Sequence, residues 1–113
     1  MYDLKFTDLG LADVQALPKN VRNALRKALL KTVRIDPEGC SKPLQGPLRD
    51  FRSFRWGRYR VIYRVFAGQQ VVAVAAIGKH SSDARTDVYR RLEALASHGR
   101  LAEQLLVSLW GRK

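Results

Sequence analysis

The amino-acid sequence predicts an α+β fold, in which a small antiparallel-rich sheet carries two N-terminal helices on one face and is followed by a C-terminal helix (β-α-α-β-β-β-α). Three observations predict it. Apolar residues recur at helical spacing in the first third of the chain. Residues 59–66 alternate between apolar and polar side chains, and residues 71–77 are apolar throughout, which is typical of an interior strand. A second amphipathic pattern follows the last strand.

The first predicted elements are a strand and a short helix. Residues 2–6 alternate between apolar and polar side chains, which indicates a half-buried strand. Thr7 or Asp8 can cap a helix over residues 8–16, and Gly10 is expected to weaken that helix because glycine has a low helix propensity.

A second, longer helix is expected to begin at Pro18 and to continue to about residue 35, because proline is favoured in the first turn of a helix. Its core-facing stripe is predicted from helical spacing and consists of Val21, Leu25, Ala28, Leu29 and Thr32. Residues 36–47 predict a loop, since they contain three prolines and two glycines.

Three antiparallel strands are expected next. Residues 48–55 predict a strand of mixed character, in which the three-residue spacing of Phe51 and Phe54 breaks strict alternation. Residues 59–66 alternate regularly and form a hairpin with the following strand. Residues 71–77 are apolar at every position and therefore predict a strand that is covered on both faces.

The last predicted element is an amphipathic helix that begins at Thr86 or Asp87 and reaches Ser97. The length of the chain predicts one domain. We expect this domain to span residues 1–97, with residues 98–113 as its C-terminal helical extension.

The composition is that of a strongly basic globular chain, with a net charge of +11 and 46% hydrophobic residues. Such charge favours a nucleic acid, an anionic membrane or an acidic protein as the partner. No stretch approaches the roughly 18 apolar residues of a membrane span. Binding to a membrane surface is disfavoured, because it needs a basic amphipathic helix with exposed Trp or Phe, and Trp56 and Trp110 lie in different predicted elements. The first residues lack the pattern of a signal peptide, so a cytoplasmic location is expected. With Cys40 as the one cysteine, an internal disulfide and a cysteine-rich zinc site are excluded.

Positive charge is concentrated in the predicted strands. Between residues 42 and 64 there is one acidic residue, Asp50, and there are seven basic residues: Lys42, Arg49, Arg52, Arg55, Arg58, Arg60 and Arg64. Because they lie among aromatic and β-branched residues, the sequence predicts cationic side chains mounted on a folded sheet, with a polyanion as the natural partner.

Four short motifs occur in order along the chain: Leu44–Leu48, Gly57–Tyr63, Ile77–His80 and Val88–Arg91. Together with the order of elements, they make the chain resemble the RelE/ParE toxins of bacterial type II toxin–antitoxin modules over residues 1–97. The resemblance implies a small sheet whose concave face holds the active surface, and a cognate antitoxin that silences the toxin. In this superfamily the RelE branch cuts mRNA in the ribosomal A site, whereas the ParE branch poisons DNA gyrase.

The resemblance implies that Arg60 contacts the scissile phosphate. Arginine suits this role because its planar fork holds two phosphate oxygens and stays charged. The best-known mRNA-cleaving relatives carry catalytic lysines on the preceding strand, where this chain has arginines, which cannot readily act as a base. The residues expected to bind RNA are Arg52, Arg55, Arg58, Lys79 and Arg85.

His80 and Tyr89 complete the expected catalytic set with Arg60. Histidine titrates near neutral pH and can be the base or the acid, although a lone histidine is also often structural or merely exposed. Tyr89 matches the tyrosine that the resembled family uses for proton transfer or base stacking; alternatively, it packs in the core between helix and sheet. The loop at residues 81–86 is longer than in the catalytic relatives and could displace Tyr89 from the site.

The leading interpretation is a ribosome-dependent, metal-independent mRNA endoribonuclease that inhibits translation and needs no cofactor. Its products would carry a 2′,3′-cyclic phosphate or a 3′-phosphate, and its partners would be mRNA on the ribosome and a cognate antitoxin in a hetero-oligomer. One alternative is a ParE-like toxin without nuclease activity, which the all-arginine strand favours. Another is a catalytically inactive basic nucleic-acid-binding domain.

Overall fold

A computed structural model describes residues 1–81 and 87–97. It confirms the predicted α+β class, with three helices and a five-stranded sheet. The elements are β1 (Asp3–Phe6), α1 (Asp8–Ala16), α2 (Lys19–Ala28), β2 (Lys42–Pro43), β3 (Arg52–Trp56), β4 (Tyr59–Phe66), β5 (Val71–Lys79) and α3 (Val88–Ser97). The extension predicted for residues 98–113 lies outside the described residues.

The sheet is mixed, with the strand order β1-β5-β4-β3-β2. β1 runs parallel to β5, and the other neighbouring pairs are antiparallel. β4 has the predicted bounds, and β5 is an interior strand as its apolar sequence indicates. No helix among the described residues is long and apolar enough to span a membrane.

The strand predicted over residues 48–55 is wrong in its first half. A 3₁₀ turn occupies Gly46–Leu48, and β3 begins only at Arg52. The N–H of Phe51 donates to the Leu48 carbonyl at 2.9 Å, which is a turn rather than a strand pairing. The irregular spacing of the phenylalanines therefore marks the end of a turn and the start of a strand.

The predicted second helix is also divided. α2 ends at Ala28 and continues as a π-helical turn over Leu29–Val33. Thr32, which was expected to face the core, instead donates its hydroxyl to the Ala28 carbonyl at 2.6 Å. Val33 is fully buried in its place, because the wider π-helical turn shifts the inward-facing position by one residue.

The apolar core has two parts, one on each face of the sheet. On one face Val61 and Tyr63 of β4 pack with Leu25 of α2 and Leu29 of the π-helical turn. On the other face Ile62 packs with the α3 side chains, which are Val88 and Leu92. Since successive strand residues point to opposite faces, β4 separates an α2 face from an α3 face.

A β-bulge in β5 determines which residues reach each face. Ile62 pairs with Ala76 and Tyr63 pairs with Val74, so Ala75 is an extra residue with no partner in β4. The start of α1 packs on this bulge, where the Thr7 hydroxyl lies 3.3 Å from the carbonyl oxygens of both Val74 and Ala75. The bulge shifts the alternation of side chains by one residue. After the bulge, each side chain of β5 therefore points to the face opposite to the one it would have in a strand without a bulge.

Candidate active site

Two rows of neighbouring strand residues lie on the α3 face of the sheet. Arg55, Arg60 and Gly78 are direct neighbours across β3, β4 and β5. Ser53 and Ile62 are paired in the adjacent row, two residues along the strands and hence about 7 Å away. Directly opposed residues share a face, so Arg55 and Arg60 project on the same side as α3.

The Arg60 guanidinium is fixed beside the turn between β3 and β4. Its Nη1 donates to the carbonyl oxygens of Gly57 at 3.2 Å and Tyr59 at 3.0 Å. These bonds use one terminal nitrogen and leave the other side of the fork to face a ligand. The turn itself depends on Gly57, whose φ of +59° is a conformation that side chains disfavour.

Arg60 and Arg55 line a cleft of about 380 Å³, which we call the arginine cleft. Its lining residues are Gly39, Cys40, Ser41, Lys42, Ser53, Arg55 and Arg60. Three of these side chains are cationic and none is acidic, so the cleft attracts an anion such as an RNA phosphate.

His80 follows β5 directly and forms a pair with Asp87, which precedes α3. The His80 Nδ1 lies 2.7 Å from the Asp87 Oδ1. The imidazole is 63% exposed, whereas the carboxylate is only 2% exposed. Because Nδ1 is bonded to the carboxylate, Nε2 is the nitrogen available to exchange a proton with a ligand.

Asp87 is held by the backbone as well as by His80. Its carboxylate accepts the N–H of Ser81 at 2.7 Å and the N–H of Arg90 at 3.1 Å, and the second of these bonds caps α3. Burial opposes the charge of this carboxylate, but the hydrogen bonds from Ser81, His80 and Arg90 outweigh that effect and lower the pKa of Asp87. The carboxylate is therefore a stable negative partner for the imidazole.

Tyr89 lies beside His80 and reaches across to β3. The two rings meet edge to face, with centroids 5.1 Å apart and an interplanar angle of 78°. The Tyr89 hydroxyl is 2.8 Å from the Ser53 Oγ. The longer loop before α3 does not separate Tyr89 from His80, although the tyrosine also packs against the apolar core under α3.

Arg52 is separated from this group. It pairs with Tyr63 and therefore lies on the α2 face. Its Nε donates to the Ser41 Oγ at 2.7 Å, and its Nη2 donates to the carbonyl oxygens of Glu38 at 2.9 Å and Ser41 at 3.1 Å. The same loop is anchored by the buried Tyr63, whose hydroxyl donates to the Pro37 carbonyl and whose pKa is raised, chiefly by burial. The geometry of Arg52 favours a structural role over the predicted RNA contact.

The different roles of Arg52 and Arg55 can be tested by two alanine variants. We expect Arg52→Ala to lower the free energy of unfolding by about 1–3 kcal/mol, because it removes charged hydrogen bonds that hold the loop. Arg55→Ala should leave stability within about 0.5 kcal/mol, since the side chain is exposed, but should weaken RNA binding. Urea denaturation and RNA titration of both variants provide the comparison; equal stability of the two variants would contradict the assignment.

Two of the remaining predicted RNA-binding residues, Lys79 and Arg58, do not line the arginine cleft. Lys79 is opposite Tyr59 on the α2 face, with its Nζ 5.7 Å from the Tyr59 ring centroid. Arg58 is exposed in the turn after β3. Arg85 lies outside the described residues. Among the residues that are described, His, Cys, Asp and Glu do not gather in groups of three that could hold a metal ion.

Sequence reasoning missed Asp13, which joins the elements around the site. Its carboxylate accepts the Ile77 N–H at 2.8 Å and faces both terminal nitrogens of Arg91 at 3.3 and 3.4 Å. It thus ties α1 to the end of β5 and to α3. The sequence predicts Asp87 as a possible start of the last helix, and Asp87 does cap α3, but its bond to His80 is not evident from the sequence. An aspartate just before a helical pattern, near a histidine, is the signal that could have indicated it.

The lowered pKa of Asp87 predicts an acid-dependent part of the stability. A carboxylate with a depressed folded-state pKa contributes stability above its ordinary pKa of 3.8, and this contribution is lost as the pH falls through the lower, folded-state value. Urea denaturation at a series of pH values from about 6 down to about 3 should show a decline that is smaller in Asp87→Asn, since the amide does not titrate. Identical pH profiles for the two proteins would refute this.

Comparison with known proteins agrees with the fold. The profile of the family described as "ParE toxin of type II toxin-antitoxin system, parDE" matches residues 4–84. Two Mycobacterium tuberculosis proteins are similar: Toxin RelE is 28% identical over 79% of this chain and 92% of its own, and Toxin RelG is 29% identical over 80% and 98%.

A solved structure of the toxin–antitoxin complex RelBE2 from Mycobacterium tuberculosis contains a similar chain. It has a TM-score of 0.66 and 26% identity, and the match covers 69% of this chain and 96% of that one. These similarities confirm the family resemblance that the four sequence motifs indicated. The chain therefore belongs to the ParE toxin family and is a RelE/ParE-superfamily toxin of a type II toxin–antitoxin system.

Proposed function

We propose that this toxin is a metal-independent endoribonuclease that cuts mRNA in the ribosomal A site and so inhibits translation. The observation that supports this most directly is the arrangement on the α3 face. There the His80–Asp87 pair and Tyr89 lie together at the start of α3, on the face of the sheet that also carries Arg55 and Arg60. Cations and proton-transfer groups on one surface are what cleavage of an RNA phosphodiester requires.

The proposed reaction is attack by the 2′-oxygen of the RNA on the adjacent phosphorus. His80 Nε2 takes the 2′-hydroxyl proton, and the Asp87 carboxylate stabilises the imidazolium that forms. Arg60 and Arg55 stabilise the negative charge that develops on the phosphorane oxygens. Tyr89, oriented by Ser53, donates a proton to the leaving 5′-oxygen and regains one from solvent. The 2′-O–P bond forms as the P–O5′ bond breaks, which leaves a 2′,3′-cyclic phosphate and a 5′-hydroxyl.

A cognate antitoxin is the proposed protein partner, because the similar RelBE2 toxin is found in a toxin–antitoxin complex. With a net charge of +11, the toxin favours an antitoxin whose contacting segment is acidic. Such a segment would cover cationic side chains that otherwise face RNA, and it would order on binding. The proposed action on ribosomes supports a cytoplasmic location as part of the proposal.

The second candidate function is inhibition of DNA gyrase without RNA cleavage. Two observations favour it. The matching family profile is that of ParE toxins, and the cations of β3 are arginines rather than residues that readily lose a proton. Under this alternative the basic surface would bind a protein–DNA complex instead of mRNA.

The two candidate functions are separated by one pair of assays on the purified toxin. Ribosomes programmed with a defined mRNA are incubated with the toxin, and the RNA ends are mapped with and without ribosomes. Gyrase supercoiling is measured in parallel. Ribosome-dependent cuts with cyclic phosphate ends are expected; inhibited supercoiling with intact mRNA would establish the ParE-type activity. The absence of both effects would favour a catalytically inactive nucleic-acid-binding domain.

A further inference from the structure

A second cleft opens on the α2 face, at the same end of the sheet as the arginine cleft. Its volume is about 470 Å³, and it is lined by Val21, Trp56, Gly57, Arg58, Tyr59 and Lys79. Trp56, Tyr59 and Lys79 are direct neighbours across β3, β4 and β5, so their side chains form one row. We call this the aromatic cleft.

The two rings of the aromatic cleft form a fixed platform. Their centroids are 6.0 Å apart and the ring planes are inclined by 32°. Trp56 packs against the apolar core under α2, which restrains it, whereas Tyr59 belongs to neither apolar cluster of the described core. A partly buried tyrosine outside the core, next to a tryptophan that packs against the core, is well placed to contact a planar ligand.

Cations surround this platform. The Lys79 Nζ is 5.7 Å from the Tyr59 ring centroid, and Arg58 is exposed in the turn that borders the cleft. Aromatic rings accompanied by lysine and arginine are the combination that binds single-stranded nucleic acid, because bases stack on the rings while phosphates pair with the cations. The aromatic cleft thus offers rings for the base and cations for the phosphate of one unpaired nucleotide.

The aromatic cleft and the arginine cleft are back to back. Tyr59 is followed by Arg60 and Lys79 by His80, and consecutive strand residues point to opposite faces. The turn at Gly57 and Arg58 forms the rim between the two clefts. A single strand that leaves the arginine cleft therefore needs to pass only this turn to reach the aromatic cleft.

We infer that the aromatic cleft is a second RNA subsite. It stacks one unpaired base of the message, next to the cleaved phosphate, on Tyr59 and Trp56, and it pairs the phosphate of that nucleotide with Arg58 and Lys79. This inference rests on the proposed function in taking RNA as the ligand, but it concerns binding and can be measured without cleavage.

The test uses the full chain with Trp110→Phe, so that Trp56 is the one remaining tryptophan. A short single-stranded RNA with 2′-O-methyl groups, which blocks attack by the 2′-oxygen, is titrated while the fluorescence of Trp56 is recorded. We expect saturable quenching as a base stacks on the ring. Tyr59→Leu should weaken binding by roughly 5- to 150-fold, the loss of one base–aromatic contact, whereas Tyr59→Phe should keep the affinity within about twofold.

Charge variants form the second arm. Arg58→Ala and Lys79→Ala should each weaken binding and reduce the dependence of affinity on salt, because each removes a phosphate contact. Lys5→Ala is the matched control, since Lys5 is an exposed lysine on β1 opposite Ala73, at the far end of β5 from Lys79, and it should leave both quantities unchanged. Thermal unfolding of each variant, followed by circular dichroism, checks that the fold is retained.

The subsite is disproved if Tyr59→Leu binds as tightly as Tyr59→Phe, or if saturating RNA leaves the Trp56 fluorescence unchanged. Failure of the nuclease proposal gives a different result. If only the nuclease proposal fails, Tyr59→Leu still weakens RNA binding, while mRNA on ribosomes stays intact. Conversely, Arg60-dependent cleavage with wild-type binding by Tyr59→Leu would remove the subsite and leave the nuclease proposal in place.

Discussion

Arg60→Ala is expected to lower the rate of mRNA cleavage on programmed ribosomes by about 10²–10³-fold, the usual effect of removing one preorganised group that stabilises transition-state charge. Carbonyl bonds to Gly57 and Tyr59 hold the guanidinium in place before RNA arrives, so little reorganisation is needed during the reaction. Single-turnover kinetics with saturating toxin measure the effect on the chemical step separately from binding.

The matched control for Arg60 is Arg64, another arginine of the same strand and face. Its guanidinium lies 4.9 Å from the Phe66 ring centroid, and it pairs with Ala73, away from the Gly78 row. Arg64→Ala should change the rate by no more than about threefold, as expected for a surface charge. Arg60→Lys should recover part of the activity, because the charge returns without the fork. Equal rates for the Arg60 and Arg64 alanine variants would refute the assigned role of Arg60.

Gly10→Ala is expected to destabilise the protein by about 2–4 kcal/mol, although alanine is the better helix former by about 1 kcal/mol. A Cβ at this position would lie 2.3 Å from the Val74 carbonyl oxygen and 3.1 Å from its carbonyl carbon. Both are backbone atoms of the interior strand at the bulge, so α1 would have to move away from β5. Urea denaturation of the variant measures the loss.

Gly68→Ala is the control for the general effect of replacing a glycine. A Cβ at Gly68 would meet no atom within 4 Å, so the free energy of unfolding should stay within about 0.5 kcal/mol of the wild-type value. If the two alanine variants had the same stability, the close approach of α1 to β5 would not be the reason for glycine at position 10.

The sequence was sufficient for elements whose pattern is local. Alternation gave β4 with its bounds, and the uninterrupted apolar run identified β5 as an interior strand. The bounds of α1 were also predictable from neighbouring residues. So was its cap, because the Thr7 hydroxyl accepts the N–H of Gly10, three residues away, at 3.0 Å. The role of Gly10 could not be found in this way, since its partner is 64 residues further along the chain.

The same limit applies to the candidate site. Arg52 and Arg55 are both arginines of β3, yet their side chains lie on opposite faces because they are three positions apart, which is an odd number, on a strand. The His80–Asp87 bond joins residues on either side of a polar loop, and only the packing of α3 on the sheet brings them together.

The bulge at Ala75 has a consequence for how toxins of this kind diverge. A substitution replaces one side chain, whereas regular pairing of Ala75 with Ile62, without the bulge, would reverse the orientation of every position from Ala76 to His80. Lys79 would then take the place of His80 beneath α3, and the two ligand-facing surfaces would exchange members without any change in residue identity. Homologous chains of equal length that differ in whether β5 bulges at this point can thus align well and still present different chemistry, so functional positions at the end of β5 should be counted from the bulge.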